Sequence, residues 1–342
     1  MTELLLAGGG HTHALLLRRW ARRPGGRPAA LITLVSRAAL TPYSGRLPAC
    51  LAGRCSLAAA SLPLAALCAA AGVVFVPAEI RGLDPRGQRL QLAPPLGPRT
   101  YDLLSLDVGA EVPLPPPALT GGAPLLPIRP AAPVLAALEG LAPGAAVAVF
   151  GGGASAVEVA FALVVRGCRV SLHPRGPGLW QAFAAPLASA GIALVQGPAA
   201  GGTALALACT GARLPAWLAS SGLPQAAGGR LAVEPDLTVA GWPQVFAVGD
   251  AALVRGAERP PAGVWAVKAA PRLHHNLRRR LAGQPLGPWR PPGRAVQLLG
   301  DGRGRAWLLP APGCGGQPLG PSRLLGLWKQ ALDGAFLARL QP

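Results

Sequence analysis

Two glycine-rich turns carry the strongest chemical signal in this sequence. An apolar run at residues 4–7 leads into three glycines at 8–10, and a second apolar run at 147–150 leads into three glycines at 151–153. A segment with helical periodicity follows each turn, so each unit has the order strand, turn, helix. Glycines at such a turn let backbone N–H groups approach a pyrophosphate, and the helix N-terminus adds partial positive charge. Each turn therefore predicts a site for a dinucleotide.

The two turns match the dinucleotide-binding fingerprint G-x-G-x-x-G to different degrees. The first has His13 in place of the third glycine, and Ser36 where the next strand ordinarily ends in an acid. Taken alone, it is also compatible with a simple tight turn. The second has Ala156, an accepted third residue. Because independent turns seldom repeat the whole strand–turn–helix–strand pattern, the pair favours two nucleotide folds.

The elements around the turns predict an α/β fold with two Rossmann-like, three-layer domains. Runs at 31–35 and 169–172 predict the strands that complete the two βαβ units. The proline-rich stretch 113–133 predicts a crossing into the second domain, and 235–248 predicts the return of the chain. The first domain is therefore expected to be discontinuous.

A chain of 342 residues has room for two such domains and a short appendage. Periodic apolar segments recur throughout, which argues against disorder despite 46 glycines and 39 prolines. The predicted boundaries are residues 1–128 with 236–295 for the first domain, 129–235 for a shortened second domain, and 296–342 for a C-terminal segment with an amphipathic helix.

Charge and cysteine content narrow the classes of function. Lys and Arg total 32 against 14 acids, and the resulting net charge of +18 favours anions in general. No basic stripe is interleaved with aromatic residues, so a nucleic-acid partner is not expected. No secretory signal opens the sequence, and no Cys/His cluster has metal-site spacing, so we expect a cytoplasmic protein with free thiols and no metal. The cysteines are Cys50, Cys55, Cys68, Cys168, Cys209 and Cys314.

Further segments carry a resemblance to a known family. They are GGGHTHA at 8–14, TPYSGRLP at 41–48, residues 101–109, VFAVGD at 245–250, AGVWAVK at 262–268 and the tail 328–336. With them the chain resembles the two-dinucleotide flavoproteins of the pyridine nucleotide-disulfide oxidoreductase class. More narrowly, it resembles the type II NADH dehydrogenase-like module that occurs alone or fused ahead of selenide, water dikinase. This resemblance implies an FAD-dependent enzyme that passes a hydride from NAD(P)H to flavin and on to a quinone-like acceptor.

The resemblance also implies which residues bind the cofactors. The first glycine turn surrounds the FAD pyrophosphate, Asp250 accepts hydrogen bonds from the ribityl chain, and residues 44–45 and 266–268 border the isoalloxazine. Asp250 is also compatible with a helix N-cap. The predicted cofactor-binding residues are Gly8, Gly9, Gly10, His11, Thr12, Ser36, Arg37, Ser44, Gly45, Gly109, Gly151, Gly153, Ala154, Ser155, Arg175, Gly249, Asp250, Ala266 and Val267.

The sequence departs from the family pattern in both domains. Ser36 replaces the acid that usually binds the adenosine ribose, which leaves Arg37 to lie against the adenine or a phosphate. The corresponding strand of the second domain ends without an acid, and Arg175 follows it, which favours the 2′-phosphate of NADPH over NADH. Few residues separate Val195 from Leu207, so the nicotinamide domain is expected to be shortened. A protein that binds FAD but serves as a partner or sensor module, with a link to selenium, remains an alternative.

Glu158 and Lys268 are the candidate catalytic residues. Glu158 lies on the second predicted helix and is expected to face the nicotinamide, and Lys268 is expected to stabilise charge on the reduced flavin. Both are also compatible with solvated surface charges. Cys50 and Cys55 have the C-x4-C spacing of redox-active disulfides but are also compatible with apolar packing. A reductase that passes electrons from sulfide or selenide to a quinone would need them.

The tail between residues 322 and 340 predicts a basic amphipathic helix. Its leucines and aromatics fall largely on one helical face, with arginines and a lysine elsewhere. Such a helix is compatible with an anionic membrane surface, where a quinone would be found, and with docking as a cap on the flavin domain. The expected location is therefore the cytoplasm, and peripheral contact with the inner face of the membrane is compatible with this helix.

Overall fold

The computed structural model describes residues 2–226, 228–293, 295–310 and 316–341. Cys314, expected to be a free thiol, lies outside the described residues. The strands in chain order are β1 (Glu3–Ala7), β2 (Leu31–Ser36), β3 (Leu40–Pro42), β4 (Ser61–Pro63), β5 (Val74–Pro77), β6 (Ile80–Asp84), β7 (Arg89–Leu92), β8 (Arg99–Thr100), β9 (Leu103–Leu106), β10 (Leu125–Pro127), β11 (Ala146–Phe150), β12 (Arg169–His173), β13 (Ala193–Leu194), β14 (Leu205–Ala208), β15 (Leu231–Val233), β16 (Thr238–Val239), β17 (Trp242–Ala247), β18 (Ala252–Val254), β19 (Leu298–Gly300), β20 (Ala306–Leu308) and β21 (Leu319–Ser322). The α-helices are α1 (His11–Arg22), α2 (Leu47–Leu51), α3 (Leu64–Ala71), α4 (Ala131–Glu139), α5 (Ala154–Val165), α6 (Ala184–Ser189), α7 (Ala216–Ala219), α8 (Gly263–Leu281) and α9 (Arg323–Arg339).

The first sheet has eight strands in the order β18-β15-β16-β17-β9-β1-β2-β5. Its centre is parallel, because β1 pairs with β2 on one side and with β9 on the other, and β17 pairs with β9. Strands β15 to β18 follow the second sheet in the chain, so the first sheet is built from two separate segments, as the sequence predicts. The residue boundaries of the domains stay a prediction.

The second sheet has five parallel strands in the order β10-β14-β11-β12-β13. Residues 195–204, between β13 and β14, contain neither helix nor strand, in line with the short interval noted in the sequence. The first sheet with its parallel centre and the parallel second sheet, each with helices packed on it, confirm the predicted α/β fold.

Helices α1, α3 and α8 pack together on the first sheet, and α5 lies at the centre of the second. The α1–α8 contact contains fully buried Trp20, whose Nε1–H donates to His274 Nδ1 at 3.1 Å. The N-terminal turn of α5 is followed by a run of buried aliphatic residues and Phe161, which join the second core. Both glycine turns therefore open directly into helices held by a hydrophobic core.

The C-terminal segment touches both cores. Trp307 on β20 stacks on Phe161 of α5 at 5.4 Å and meets Phe183 edge to face at 5.0 Å. Leu337 and Leu340, at the end of α9, belong to the core of the first sheet. The segment thus packs against α5 at one end and the first domain at the other.

Within the described residues, no helix combines the length and the apolar character needed to cross a bilayer. Two long stretches of the sequence without charged residues, 55–78 and 176–212, form short elements of the two cores instead, among them α3 and α6.

The buried pair Trp20–His274 predicts a loss of stability in acid. Burial, reinforced by Arg19, lowers the pKa of His274 to about 4, whereas an unfolded chain titrates near 6.5. The unfolded state therefore binds the proton first, and stability is lost as pH falls from about 6.5 towards 4. We expect the midpoint of urea unfolding to fall over that range, and to fall less in His274→Gln, which keeps an acceptor but does not titrate.

His275→Gln is the matched control, because His275 is exposed and its ring has no hydrogen bond to a buried tryptophan among the described residues. It should retain most of the acid dependence. Equal pH dependence of wild type and His274→Gln would contradict this assignment.

Candidate functional site

The first glycine turn is shaped by Asp107, which directly follows β9. Gly8 has φ of +92°, and a Cβ atom there would overlap the Asp107 carbonyl. Gly10 has ordinary backbone angles, yet a Cβ atom on it would collide with the Asp107 carboxylate. The backbone of the turn therefore lies directly against the end of β9, which only glycine permits at these two positions.

Asp107 also satisfies part of the N-terminus of α1. Its carbonyl accepts the Gly10 N–H at 3.1 Å, and its carboxylate accepts the His13 N–H at 3.0 Å. Among the described residues, no acceptor is hydrogen-bonded to the backbone N–H of His11 or Thr12. These two free N–H groups and the helix dipole form a site suited to a phosphate.

Beneath this turn, the imidazole of His13 is fully buried. Nδ1 lies 2.7 Å from the Gly8 carbonyl oxygen and Nε2 lies 2.8 Å from Ser105 Oγ. Since a carbonyl only accepts, Nδ1 carries the proton and Nε2 accepts from the hydroxyl. Burial lowers the pKa of His13, so a neutral ring supports the turn in the position where the fingerprint has glycine.

Charged groups meet where β9 and β17 end. Asp250 lies in the short 3₁₀ helix Gly249–Ala251, and Arg129 Nη1 is 3.5 Å from its Oδ2. Burial lowers the pKa of the nearby His11 imidazole, and this effect outweighs the charges of Asp107 and Asp250, which raise it. Thr12 Oγ1 donates to the Ala266 carbonyl at 2.9 Å, so α8 meets α1 at this edge. The predicted residues of the first turn, Asp250 and Ala266 are therefore brought together.

The loop that contains Ser44 and Gly45 lies beside α1. The rings of His11 and Tyr43 are 5.4 Å apart, and Phe336 of α9 stacks on Tyr43 at 4.7 Å. Phe336 also meets His11 edge to face at 5.5 Å. Three aromatic rings from α1, the loop and α9 thus cover one side of the first turn.

A buried ionic cluster joins this loop to the second domain. Lys329 Nζ lies 3.5 Å from Glu158 Oε1 and 3.3 Å from Asp333 Oδ2, and it donates to the Gly45 carbonyl at 3.2 Å. The Tyr43 hydroxyl donates to Asp333 Oδ1 at 2.9 Å. All three charged side chains are less than one-fifth exposed, so the cluster connects α5, α9 and the loop.

One ammonium group in this cluster faces two carboxylates. Burial alone would lower the pKa of Lys329, but Glu158 and Asp333 outweigh it and raise the pKa. Burial raises the pKa of Glu158, against the opposing effects of Lys329 and of the Gly300 N–H that donates to it at 2.9 Å. Lys329 is therefore charged, and Glu158 holds a proton more readily than an exposed glutamate does.

At the second turn, α5 begins at Ala154 and its first amide groups are free. No backbone N–H of Ala154 or Ser155 has a hydrogen-bond partner among the described residues. Trp180 lies over the turn, and its backbone N–H donates to the Gly152 carbonyl at 3.0 Å. The N-terminus of α5 is thus suited to a phosphate, but one side of its turn is covered.

A cavity of about 380 Å3 lies beside this turn, at the ends of β11 and β12. His173 in its wall stacks on Phe150 at 4.7 Å and its Nδ1–H donates to the Gly197 carbonyl at 2.9 Å. Arg175, which is exposed, also lines the cavity. In an open parallel sheet, the ends of the strands are where nucleotides bind.

The remaining predicted residues lie at different distances from these sites. Ser36 is close to the first turn, since its Oγ would be 3.0 Å from a Cβ atom on Gly9, and Arg37 is exposed. Gly109 has φ of +68° just beyond Asp107, and Val267 is half-buried on α8. Lys268 is exposed and has no ion pair or hydrogen bond to a described residue. Their roles stay predictions.

Sequence reasoning missed several residues of the first site. These residues are Tyr43, Asp107, Arg129, Lys329, Asp333 and Phe336. Most of them lie within the segments that carry the family resemblance. No local sequence pattern shows, however, that these residues meet in space. Arg129 lies in the predicted linker and had no signal beyond its charge.

Solved structures of oxidoreductases share this fold. The sulfide:quinone oxidoreductase of Aquifex aeolicus is 16% identical, with a TM-score of 0.75, over 99% of this chain and 91% of that chain. A ferredoxin reductase of Rhodopseudomonas palustris is 19% identical, with a TM-score of 0.70, over 90% and 82%. The water-forming NADH oxidase of Lactobacillus brevis is 17% identical, with a TM-score of 0.69, over 90% and 75%. No protein-family model and no curated protein matches the sequence.

The two glycine turns offer a matched pair of substitutions. A Cβ atom on Gly10 collides with the Asp107 carboxylate, whereas a Cβ atom on Gly153 meets nothing within 4 Å, and both residues have backbone angles that alanine adopts. We expect Gly10→Ala to weaken FAD binding by about tenfold or more, because either the Asp107 carboxylate must leave the His13 N–H or the turn must move away from β9. Gly153→Ala should retain FAD.

The measurement is flavin absorbance retained after incubation with FAD and gel filtration. Equal retention by the two variants would show that the first turn is not the FAD site.

Proposed function

We propose that this chain is an FAD-dependent oxidoreductase that takes a hydride from NAD(P)H and passes electrons to a quinone-like acceptor. The observation that carries the proposal is the first turn, where free N–H groups of α1 lie beside Arg129 and Asp250 at the ends of β9 and β17. The solved structures with this fold include an NADH oxidase, a ferredoxin reductase and a sulfide:quinone oxidoreductase. Their shared chemistry supports a redox enzyme here.

The residues of the first turn fit a flavin dinucleotide. Gly10 leaves no space for a side chain between the turn and Asp107, and the N–H groups of His11 and Thr12 have no hydrogen-bond partner among the described residues. Arg129 adds a positive charge for the pyrophosphate, and Asp250 offers carboxylate oxygens to ribityl hydroxyls. When bound, FAD supplies the hydride-accepting and electron-donating chemistry, and the chain supplies orientation and electrostatics.

Lys329 is the cation best placed to act beside the flavin loop. It contacts the Gly45 carbonyl directly, whereas Lys268, predicted for this role, is exposed. We therefore assign to Lys329 the charge-stabilising role on this loop. Glu158, whose pKa is raised by burial, pairs with the Lys329 ammonium at 3.5 Å and can take up and release a proton near the same loop.

The cavity at the second turn fits the adenosine end of a nicotinamide dinucleotide. Among the described residues, no carboxylate lines it to bind the ribose 2′-hydroxyl, and Arg175 is available for a 2′-phosphate. These features favour NADPH over NADH.

The Trp180 cover over the second turn supports a different candidate function. If Trp180 keeps nicotinamide out, the chain binds FAD without oxidising NAD(P)H and serves as a partner or sensor module. The link to selenide, water dikinase belongs to this candidate and rests on the family resemblance alone.

Anaerobic titration of the FAD-loaded protein separates these functions. We expect NADPH to bleach the flavin band at lower concentration than NADH. Arg175→Ala should raise the apparent Kd for NADPH by about tenfold, through loss of a charged hydrogen bond to phosphate, with little change for NADH. Arg169→Ala, at the start of β12, the strand that precedes Arg175, is the control.

Absence of bleaching with both nicotinamides would favour the partner or sensor module. A lower Kd for NADH than for NADPH would contradict the role of Arg175.

We also propose that α9 touches an anionic membrane while it caps the site. Its inner face carries Lys329, Asp333 and Phe336, which are held by the first turn and the ionic cluster. Its outer face is an apolar stripe with helical spacing, formed by Leu324, Leu327, Trp328 and Leu332, all exposed. The stripe, with the net charge of +18, suits a bilayer surface that holds a quinone.

Vesicle flotation tests the stripe. Wild-type protein should float with phosphatidylglycerol-containing vesicles, and the double variant Leu324→Gln, Leu327→Gln should bind the vesicles with an affinity lower by about tenfold or more. Each leucine contributes about 1.5–3 kcal/mol when fully buried. Leu319→Gln, which changes an exposed leucine outside α9, is the control, and equal flotation of the double variant would contradict the contact.

A further inference from the structure

Helices α1 and α8 run side by side away from the first glycine turn. Thr12 of α1 contacts Ala266 of α8 near the start of both helices, and Trp20 contacts His274 further on. The second contact lies the same number of residues beyond the first on each helix, so the two helices are parallel. At a rise of about 1.5 Å per residue, the second contact is about 12 Å further from the turn. The C-terminal halves of α1 and α8 therefore form a surface separate from the candidate flavin site.

Four arginines and a histidine meet on this surface. Arg19 comes from α1, and Arg272, His275, Arg278 and Arg279 come from α8. Residues 272, 275 and 279 share one face of α8, because they are spaced by three and four positions. Partial burial lowers the pKa of His275, and all four guanidinium groups lie close enough to lower it further. These five side chains therefore form one group, the arginine cluster.

The arginine cluster has no acidic partner within the described part of the chain. Neither α1 nor α8 contains Asp or Glu, and none of the ion pairs between described residues includes an arginine of the cluster. Asp236, whose backbone carbonyl accepts from Asn276 of α8, uses its carboxylate to accept from Thr238. The helix dipole favours cations in the last turn of a helix, but Arg272 and His275 lie before the last turn of α8. The positive charge is therefore free to bind an anion from solution.

Two guanidinium groups of the arginine cluster converge over a loop that is fixed to α8. The Nη1 atoms of Arg272 and Arg279 both lie within 4 Å of the position that a Cβ atom on Gly287 would take. Arg279 Nη1 also donates to the Pro285 carbonyl at 3.2 Å. Fully buried Asn276 holds Gly287, since it accepts the Gly287 N–H at 3.0 Å and donates to the Gly287 carbonyl at 2.8 Å. Because the backbone beneath the two arginines is already fixed, binding a ligand there costs less entropy.

The surroundings of the arginine cluster favour a small ligand of high charge. None of the exposed large apolar side chains among the described residues lies on α1 or α8. A bilayer contact of the kind proposed for α9 uses such side chains, and a stable protein interface has an apolar core. A single nucleic-acid strand needs exposed aromatic rings on which its bases stack. Guanidinium groups, in contrast, bind phosphate oxygens in pairs, and linked phosphates carry several negative charges over a short length.

We propose that the arginine cluster binds a soluble oligophosphate, an anion made of several linked phosphate groups. Arg19 contacts the ligand from α1, and Arg272, Arg278 and Arg279 contact it from α8. The site goes beyond the proposed function, because it needs neither FAD nor nicotinamide. A ligand that joins α1 to α8 also stabilises the pair of helices that begins at the first turn.

Calorimetric titration of the full chain with sodium tripolyphosphate, with and without FAD and at constant ionic strength, tests the proposal. We expect saturable binding with the same Kd in both states. The double variant Arg272→Gln, Arg279→Gln should raise the Kd by about tenfold or more, through loss of charged hydrogen bonds to phosphate. The matched control Arg86→Gln, Arg99→Gln removes the same charge from two exposed arginines on the β6–β8 sheet and should leave the Kd nearly unchanged.

Proton NMR of the His275 ring gives a second measurement that needs no change to the arginines. The signal is identified by its absence in His275→Gln. The pKa of His275 should rise when tripolyphosphate is bound, because the negative charge of the ligand offsets the four guanidinium groups that lower it.

Absence of saturable binding to the wild type, or a His275 pKa that tripolyphosphate leaves unchanged, would overturn the proposal. Equal rises in Kd for the two double variants would also overturn it, because general attraction by the net charge would then account for binding. Displacement of tripolyphosphate by FAD would place the anion at the first turn and contradict a separate site. Binding that depends on Arg272 and Arg279 in protein that fails to bind FAD would support this site while contradicting the proposed function.

Discussion

The contact between the Asp107 carboxylate and the start of α1 is the constraint on which the candidate flavin site depends. It joins the end of β9 to the helix that follows the first glycine turn, because the carboxylate accepts the His13 N–H while the Asp107 backbone carbonyl accepts the Gly10 N–H. The same contact leaves the N–H groups of His11 and Thr12 free. A helix N-terminus whose first amides have no acceptor among the described residues is preorganised for an anion.

The C-terminal helix makes the site a product of the whole chain. Lys329 and Asp333 come from the last twenty residues, Glu158 comes from α5 and Tyr43 from the loop after β3. A buried ammonium between two carboxylates is stable only when all partners are present, since removal of one leaves an uncompensated charge. The cluster therefore holds α9, α5 and the loop that contains Ser44 in fixed positions relative to one another.

The sequence was sufficient for the fold because its signals are local. Glycine turns between apolar runs and helices identify βαβ units without knowledge of what packs on them. The return of the chain to the first sheet was predicted from residues 235–248. The site was predictable only in part. His11, Thr12 and Asp250 lie in recognisable motifs, but Asp107 and Arg129 act through positions set by other strands, and no periodicity reveals them.

The tail shows a limit of another kind. Its helical pattern allowed docking on the protein or on a membrane, and the structure gives α9 one face packed on the site and another that is apolar and exposed. A single hydrophobic periodicity cannot divide leucines between two surfaces, because both need the same residue types. The lysine on the inner face became assignable only when Glu158 and the Gly45 carbonyl were seen beside it.

Titration of FAD into the flavin-free full-length chain, followed by absorbance and flavin fluorescence, tests the central claim most directly. The account predicts saturable binding of one FAD per chain, with a flavin spectrum perturbed from that of free FAD. A protein that stays colourless after exposure to excess FAD, while its circular dichroism shows it to be folded, would contradict it.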